Sequence, residues 1–149
     1  FPFFRYAEVL LNYAEALAAA TQNPDFTGMK GEVEYTLSPR EALNAVRARY
    51  NMPGITETDY AAFVKRLRNE RRVELAFEGH RFWDIRRWKI GAETTKVYGL
   101  TITPQNDGSF SYVRSVIQQR GWDDRMNFYP IADAELFKNH NLVQNDGWK

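Results

Sequence analysis

The sequence has no cysteine among its 149 residues, which excludes disulfide scaffolds, thiolate zinc sites and cysteine nucleophiles. It has no run of 18 apolar residues, so no segment reads as a membrane-spanning helix. A dominant charge is missing too. Twenty basic side chains stand against 19 acidic ones, and the net charge of +1 gives no bulk attraction to nucleic acid or an anionic membrane. The opening FPFFRYAEVLL lacks an initiator methionine and the basic, apolar and small-residue regions of a signal peptide. It reads as a segment cut from something longer. No low-complexity stretch interrupts the chain.

What is present is ordinary globular material, 44% hydrophobic and 26% charged. The length suits a single domain spanning 1–149. A chain of this size buries roughly 68–70% of its unfolded surface, enough for a core without metals or cross-links. Aromatic content is high at 15%, and all four tryptophans follow residue 82.

Tyr6, Val9, Leu10, Tyr13, Ala14 and Leu17 recur at helical spacing, with alanines filling much of the remainder. Asn23-Pro24 and the glycines at 28 and 31 break that pattern. Ser38-Pro39-Arg40-Glu41 is a helix start, with Ser as cap, Pro at the first position and Glu three residues on. Ala42, Leu43, Val46 and Tyr50 form its expected buried stripe. A third helix is expected from about residue 59 to 78, capped by Thr56 or Thr58, and a shorter one from His80 to Lys89 after Gly79. The fold class is therefore mostly α, in helical hairpins of tetratricopeptide type. Lys96–Thr103 and Phe110–Val116 are β-branched and aromatic, and Asn106-Asp107-Gly108 between them predicts a small β-hairpin towards the C-terminus. Asn127–Ile131 is expected to be extended, Asp133 to cap a short helical turn, and NLVQNDGWK to be loop.

The stretch ELAFEGHRFWD, residues 74–84, concentrates charge among apolar residues. On a helical wheel centred on Leu67, Glu74 and Glu78 fall within about 20° of the apolar face, so they enter the buried stripe. Buried carboxylates must be paired and hydrogen-bonded. The nearest donors in sequence are Arg81 and Arg87, with Asp84 one turn from both. The expected arrangement is a structural ion network of Glu74, Glu78, Arg81, Asp84 and Arg87 around a glycine corner. A catalytic pair of Glu74 and Glu78, with His80 as acid or base, is the rival. Arginines this close would depress both carboxyls, which spoils a general acid. The spacing also lacks that of helical metal motifs, so neither catalytic nor metal-binding residues are assigned. The nine Lys or Arg between residues 65 and 89 resemble a basic binding helix. Several of them point towards the core, and nucleic acid is not expected as a partner.

NERRVELAFEGHRFWDIRRW resembles the signature of the SusD/RagB family, roughly E-R-x-x-E-L-x-F-E-G-x-R-x-x-D-L-x-R-W. It matches at Glu70, Arg71, Glu74, Leu75, Phe77, Glu78, Gly79, Arg81, Asp84, Arg87 and Trp88, with Ile85 for the usual Leu. RYAEVLLNYAEALA and ALNAVRAR are similar to two further helices of that family, and NFYPIADAEL and NLVQNDGW to its terminal motifs, with Ala132 and Asp146 where prolines are usual. The resemblance implies the C-terminal segment of a longer, non-enzymatic lipoprotein at the surface of the outer membrane. Such a protein binds nutrients, mainly glycans, and works with a SusC-type TonB-dependent transporter. It implies no cofactor, and contact with the membrane only through a lipid anchor outside these residues. A helical-repeat module that binds only protein is the alternative, and a carboxylate hydrolase a third. Sugars are gripped by aromatic faces beside polar groups, so Trp122 with Asp123 is the candidate ligand-binding pair; the competing role for Trp122 is to pin a loop.

Overall fold

A computed structural model describes residues 4–148. The chain divides into two compact units, Phe1–Arg81 and Phe82–Lys149.

The first unit is built on three helices, α1 (Tyr6–Thr21), α2 (Pro39–Ala48) and α3 (Tyr60–Glu74). α1 packs on both α2 and α3. Leu11, Ala14, Leu43, Val46, Phe63 and Leu67 are fully enclosed and form the centre of the core. The face that α1 buries is Ala7, Leu10, Leu11, Ala14, Leu17 and Ala18, rotated from the expected stripe. Tyr6 and Val9, counted as core from the sequence, are 72% and 51% exposed. The apolar residues of α1 span more of its circumference than one packed face, and the alanine flank wins because it admits close helix approach. Phe4 is also exposed; Phe1 and Phe3, grouped with it in the sequence, lie outside the described residues.

α2 starts as its sequence dictates. Ser38 Oγ accepts from the Glu41 amide at 3.2 Å, and the Ser38 amide donates to Glu41 Oε2 at 2.8 Å, a closed capping box with Pro39 at the first position. Tyr50, expected in the stripe of α2, lies beyond the helix end and is exposed. The α1–α2 connection holds a pair of short antiparallel strands that the sequence pattern did not reveal, β1 (Gly28–Lys30) and β2 (Val33–Tyr35). Asp59 caps α3, accepting from the Ala62 amide at 2.8 Å, in place of the threonines expected there.

α3 stops at Glu74, four residues before its expected end. Residues 75–79 are turns, with Phe77 at φ 66° and Gly79 at φ 80°. Two left-handed residues so close together cannot continue a right-handed helix. Phe77 is fully exposed, and Val73 and Ala76 are exposed, so the end of α3 is not covered all round by the described residues of the first unit.

The second unit holds most of α4 (His80–Arg87), a hairpin of β3 (Lys96–Pro104) and β4 (Phe110–Gln119), and α5 (Asp133–Lys138), with 3-10 turns at Ala92–Thr94 and Asp124–Asn127. The hairpin is antiparallel, with a register shift beside Val97 and Tyr98, and it turns through Gly108 at φ 83°. The mostly helical class and the C-terminal hairpin are as the sequence predicts, and the strands run one residue longer on β3 and three on β4. Ala132, not Asp133, occupies the cap position of α5. The C-terminal tail has no regular structure but is tied down. Gln144 donates to the Ile131 carbonyl at 2.8 Å and accepts from the Ile131 amide at 2.7 Å, closing a strand-like bridge from a side chain. Trp148 Nε1 donates to the carbonyls of Arg125 and Phe128, each at 3.1 Å.

Candidate functional site

The first turn of α1 and the end of α3 meet in the first unit through a polar ladder. Arg5 sits at the N-cap of α1 in an extended conformation, and its side chain does not cap the helix. It crosses to the end of α3 and the corner beyond. Nη1 donates to Glu74 Oε1 at 2.9 Å, Nη2 to the Glu74 carbonyl at 2.9 Å and to Glu78 Oε1 at 2.7 Å, and Nε to Glu78 Oε2 at 2.9 Å. The fork of the guanidinium thus holds Glu78 at both oxygens, the bidentate geometry that makes Arg the strongest partner of a carboxylate.

Two further rungs follow along α1. Glu8, buried, lies with Oε2 3.6 Å from His80 Nε2. Asn12 accepts from the buried Arg71 at 2.6 Å. Positions 5, 8 and 12 have the spacing of a single helix face, so α1 presents a polar edge beside its apolar one. Outside the ladder, Arg47 of α2 bonds Glu70 of α3, both largely buried.

The electrostatics follow from these contacts. Hydrogen bonds from Arg5 hold the Glu78 carboxyl below its usual range, against the opposing effect of its desolvation. The same bonds raise the Arg5 guanidinium, so it stays charged at any accessible pH. A general acid needs its carboxyl raised. Here Glu78 is held ionised with both oxygens occupied, the state of a structural anchor.

Of the five residues expected in one network, the structure therefore brings Glu74 and Glu78 together on Arg5, and Asp84 together with Arg87, whose Nη2 donates to Asp84 Oδ1 at 3.0 Å. A donor to both glutamates is Arg5, 69 positions before Glu74. Sequence proximity favoured the later arginines. The signal that would have found Arg5 is the polar spacing of Arg5, Glu8 and Asn12 beside Leu11 and Ala14. Among the described residues, no group of three or more His, Asp or Glu side chains could hold a metal ion.

Trp122 and Asp123 belong to the second unit. Trp122 is half-buried and lies flat on the backbone of Gly91, where an added Cβ would fall 1.8 Å from Trp122 Cε2. Arg86 approaches its ring at 5.5 Å and that of Phe82 at 3.5 Å. Asp123 accepts from the Arg125 amide at 3.0 Å and so caps the turn Asp124–Asn127. Both residues thus have local roles in a loop. Nearby, Phe82, Trp83 and Tyr129 touch one another, with ring centroids 5.1–6.0 Å apart.

Comparison with known proteins agrees with this architecture. The profile of the SusD family matches residues 1–148. SusD-like protein P2 of Formosa agariphila is 33% identical over 146 residues, which is 95% of this chain and 24% of that protein. The crystal structure of a SusD-like protein from Bacteroides fragilis superposes with a TM-score of 0.72 at 35% identity, over 97% of this chain and 25% of that one. A SusD superfamily protein from Parabacteroides distasonis shares the fold, with a TM-score of 0.58 over 99% of this chain and 27% of its own at 24% identity. The chain spans about a quarter of the length of these relatives. Its helical first unit, its C-terminal hairpin and the profile match over nearly every residue place it together with them: the chain belongs to the SusD family.

Proposed function

We propose that residues 1–149 form the C-terminal segment of a longer SusD-family protein that binds glycans or related nutrients at the outer-membrane surface and passes them to a SusC-type TonB-dependent transporter. The observation that carries the reading is the family match across residues 1–148. The geometry is consistent with it, because the acidic cluster most suggestive of an enzyme is spent on Arg5. In this reading the protein is a binding protein and not a hydrolase. The polar ladder holds the helical scaffold, and Trp122 and Asp123 support a loop. Membrane association would come from a lipid anchor elsewhere in the polypeptide; among the described residues no helix is long and apolar enough to cross a membrane.

The test is a panel of oligosaccharides against the full-length protein by calorimetry, followed by product analysis of any ligand that binds. Binding without turnover is expected. A full-length protein that binds its transporter but no glycan or other nutrient would favour a protein-interaction module. Release of shortened sugars would favour hydrolysis.

A further inference from the structure

The β3–β4 ribbon of the second unit has two unlike faces. Residues directly opposite in an antiparallel pair point to the same side. Tyr98↔Val116, Leu100↔Arg114, Ile102↔Tyr112 and Pro104↔Phe110 therefore assemble one face, and Gly99↔Ser115, Thr101↔Val113 and Thr103↔Ser111 the other. The first carries Tyr98, Leu100, Ile102, Phe110, Tyr112 and Val116, exposed by between 46% and 62%. The second is mostly hydroxyl side chains, with Ile117 folded over Gly99.

A two-stranded ribbon is marginal in water unless one face is packed, and a contiguous exposed apolar face marks an interface. Arg114 narrows what covers it. Among the four pairs of the apolar face it is the only cation, with Lys96 at the end of the same alternation on β3, and its guanidinium lies 4.0 Å from the centroid of the Tyr98 ring. Neither strand contains an acid. Two copies stacked ribbon on ribbon would close two guanidiniums into an apolar interface without a counter-charge, which is strongly unfavourable. The cover must instead be an unlike surface, apolar with an acceptor for Arg114. Relatives have about three-quarters of their length outside the matched region, and cover from the same polypeptide is present whenever the ribbon is.

We propose that this face is an internal docking surface, covered in the full-length polypeptide by a segment outside residues 1–149 that presents apolar side chains and a carboxylate opposite Arg114. The inference rests on the reading of this chain as part of a longer SusD-family protein.

Single cysteines at Ile102→Cys and Thr101→Cys, one on each face, test it in the full-length protein with other cysteines replaced. Maleimide should modify Ile102→Cys slower by about tenfold or more, because a covered thiol reacts only on local opening. Arg114→Gln should lower the thermal midpoint of the same protein, and Arg120→Gln, outside the apolar face, should not. Equal labelling rates, protection that grows with protein concentration, or protection only when a second protein is bound would each overturn the proposal. An intact mass of the native gene product equal to that of 149 residues would remove the longer-polypeptide reading itself, and the proposal with it.

Discussion

The Arg5 guanidinium binds Glu74 twice, at the carboxylate and at the backbone carbonyl, both at 2.9 Å. Glu74 is nearly enclosed, with a side chain only 9% exposed, so removing Arg5 strands its charge. Hydrogen bonds to charged groups contribute about 1.5–3 kcal/mol, and the partial exposure of Glu78 moderates the total. Arg5→Ala should lower unfolding stability by about 2–3 kcal/mol in urea melts. The exposed Arg72→Ala should change it by less than about 0.5 kcal/mol. Arg5→Lys should fall between wild type and Arg5→Ala, since an ammonium cannot span both glutamates with a planar fork. An Arg5→Ala variant as stable as the parent would show that the ladder holds nothing.

The same contact sets an acid dependence. Arg5 holds the Glu78 carboxyl below its ordinary value in the folded state. A depressed folded value means that the stabilisation is complete above the unfolded carboxyl range, near about 4.3, and is lost as pH falls through the folded value. Urea midpoints measured from pH 6 down to pH 3 should therefore drop more steeply in the wild type than in Glu78→Gln. Parallel curves would show that Glu78 does not take part.

The fold was legible wherever local chemistry decides structure. Ser38-Pro39-Arg40-Glu41 starts α2 through contacts within four residues, and Asn106-Asp107-Gly108 turns the hairpin. The polar character of the site was legible as well, because acids within an apolar stripe demand partners. Their partner was not. Arg5 and Glu74 are distant in sequence, and only the packing of α1 on α3 brings them together. The end of α3 is hidden from the sequence for a related reason. Leu75, Ala76 and Phe77 are permissible helix residues, and the left-handed conformation at Phe77 is imposed by the corner rather than by its own preference.

Gly91 and Trp122 provide a test of the loop. Gly91 has ordinary helical dihedrals, φ −58° and ψ −42°, so alanine is tolerated by its backbone. A methyl group there would collide with the indole of Trp122. Gly91→Ala should displace Trp122, shift its fluorescence and destabilise the protein by about 1–3 kcal/mol through overpacking. Combined with Trp122→Ala, which removes the obstruction, the second loss should be far less than additive. Additive losses would mean that the two residues are not in contact, and that Trp122 is free for another role.

The outer side of α1 leads to the last expectation. Phe4, Tyr6 and Val9 are 77%, 72% and 51% exposed, and Tyr6 and Val9 are three residues apart on one helix face. Scattered apolar residues on a surface need no explanation, but adjacent large ones at a helix end form a patch that associates. The 149-residue chain expressed alone should therefore bind an apolar dye and show an average mass that rises with concentration in light scattering. Tyr6→Glu with Val9→Glu should reduce both effects. Neither site is packed, and acids in the first turn favour the helix dipole, so the double variant should retain the stability of the parent. A monodisperse monomer that binds no dye at high concentration would show that the patch is too small to matter. Loss of folding in the double variant would show that Tyr6 and Val9 do belong to the core, as their spacing in the sequence first suggests.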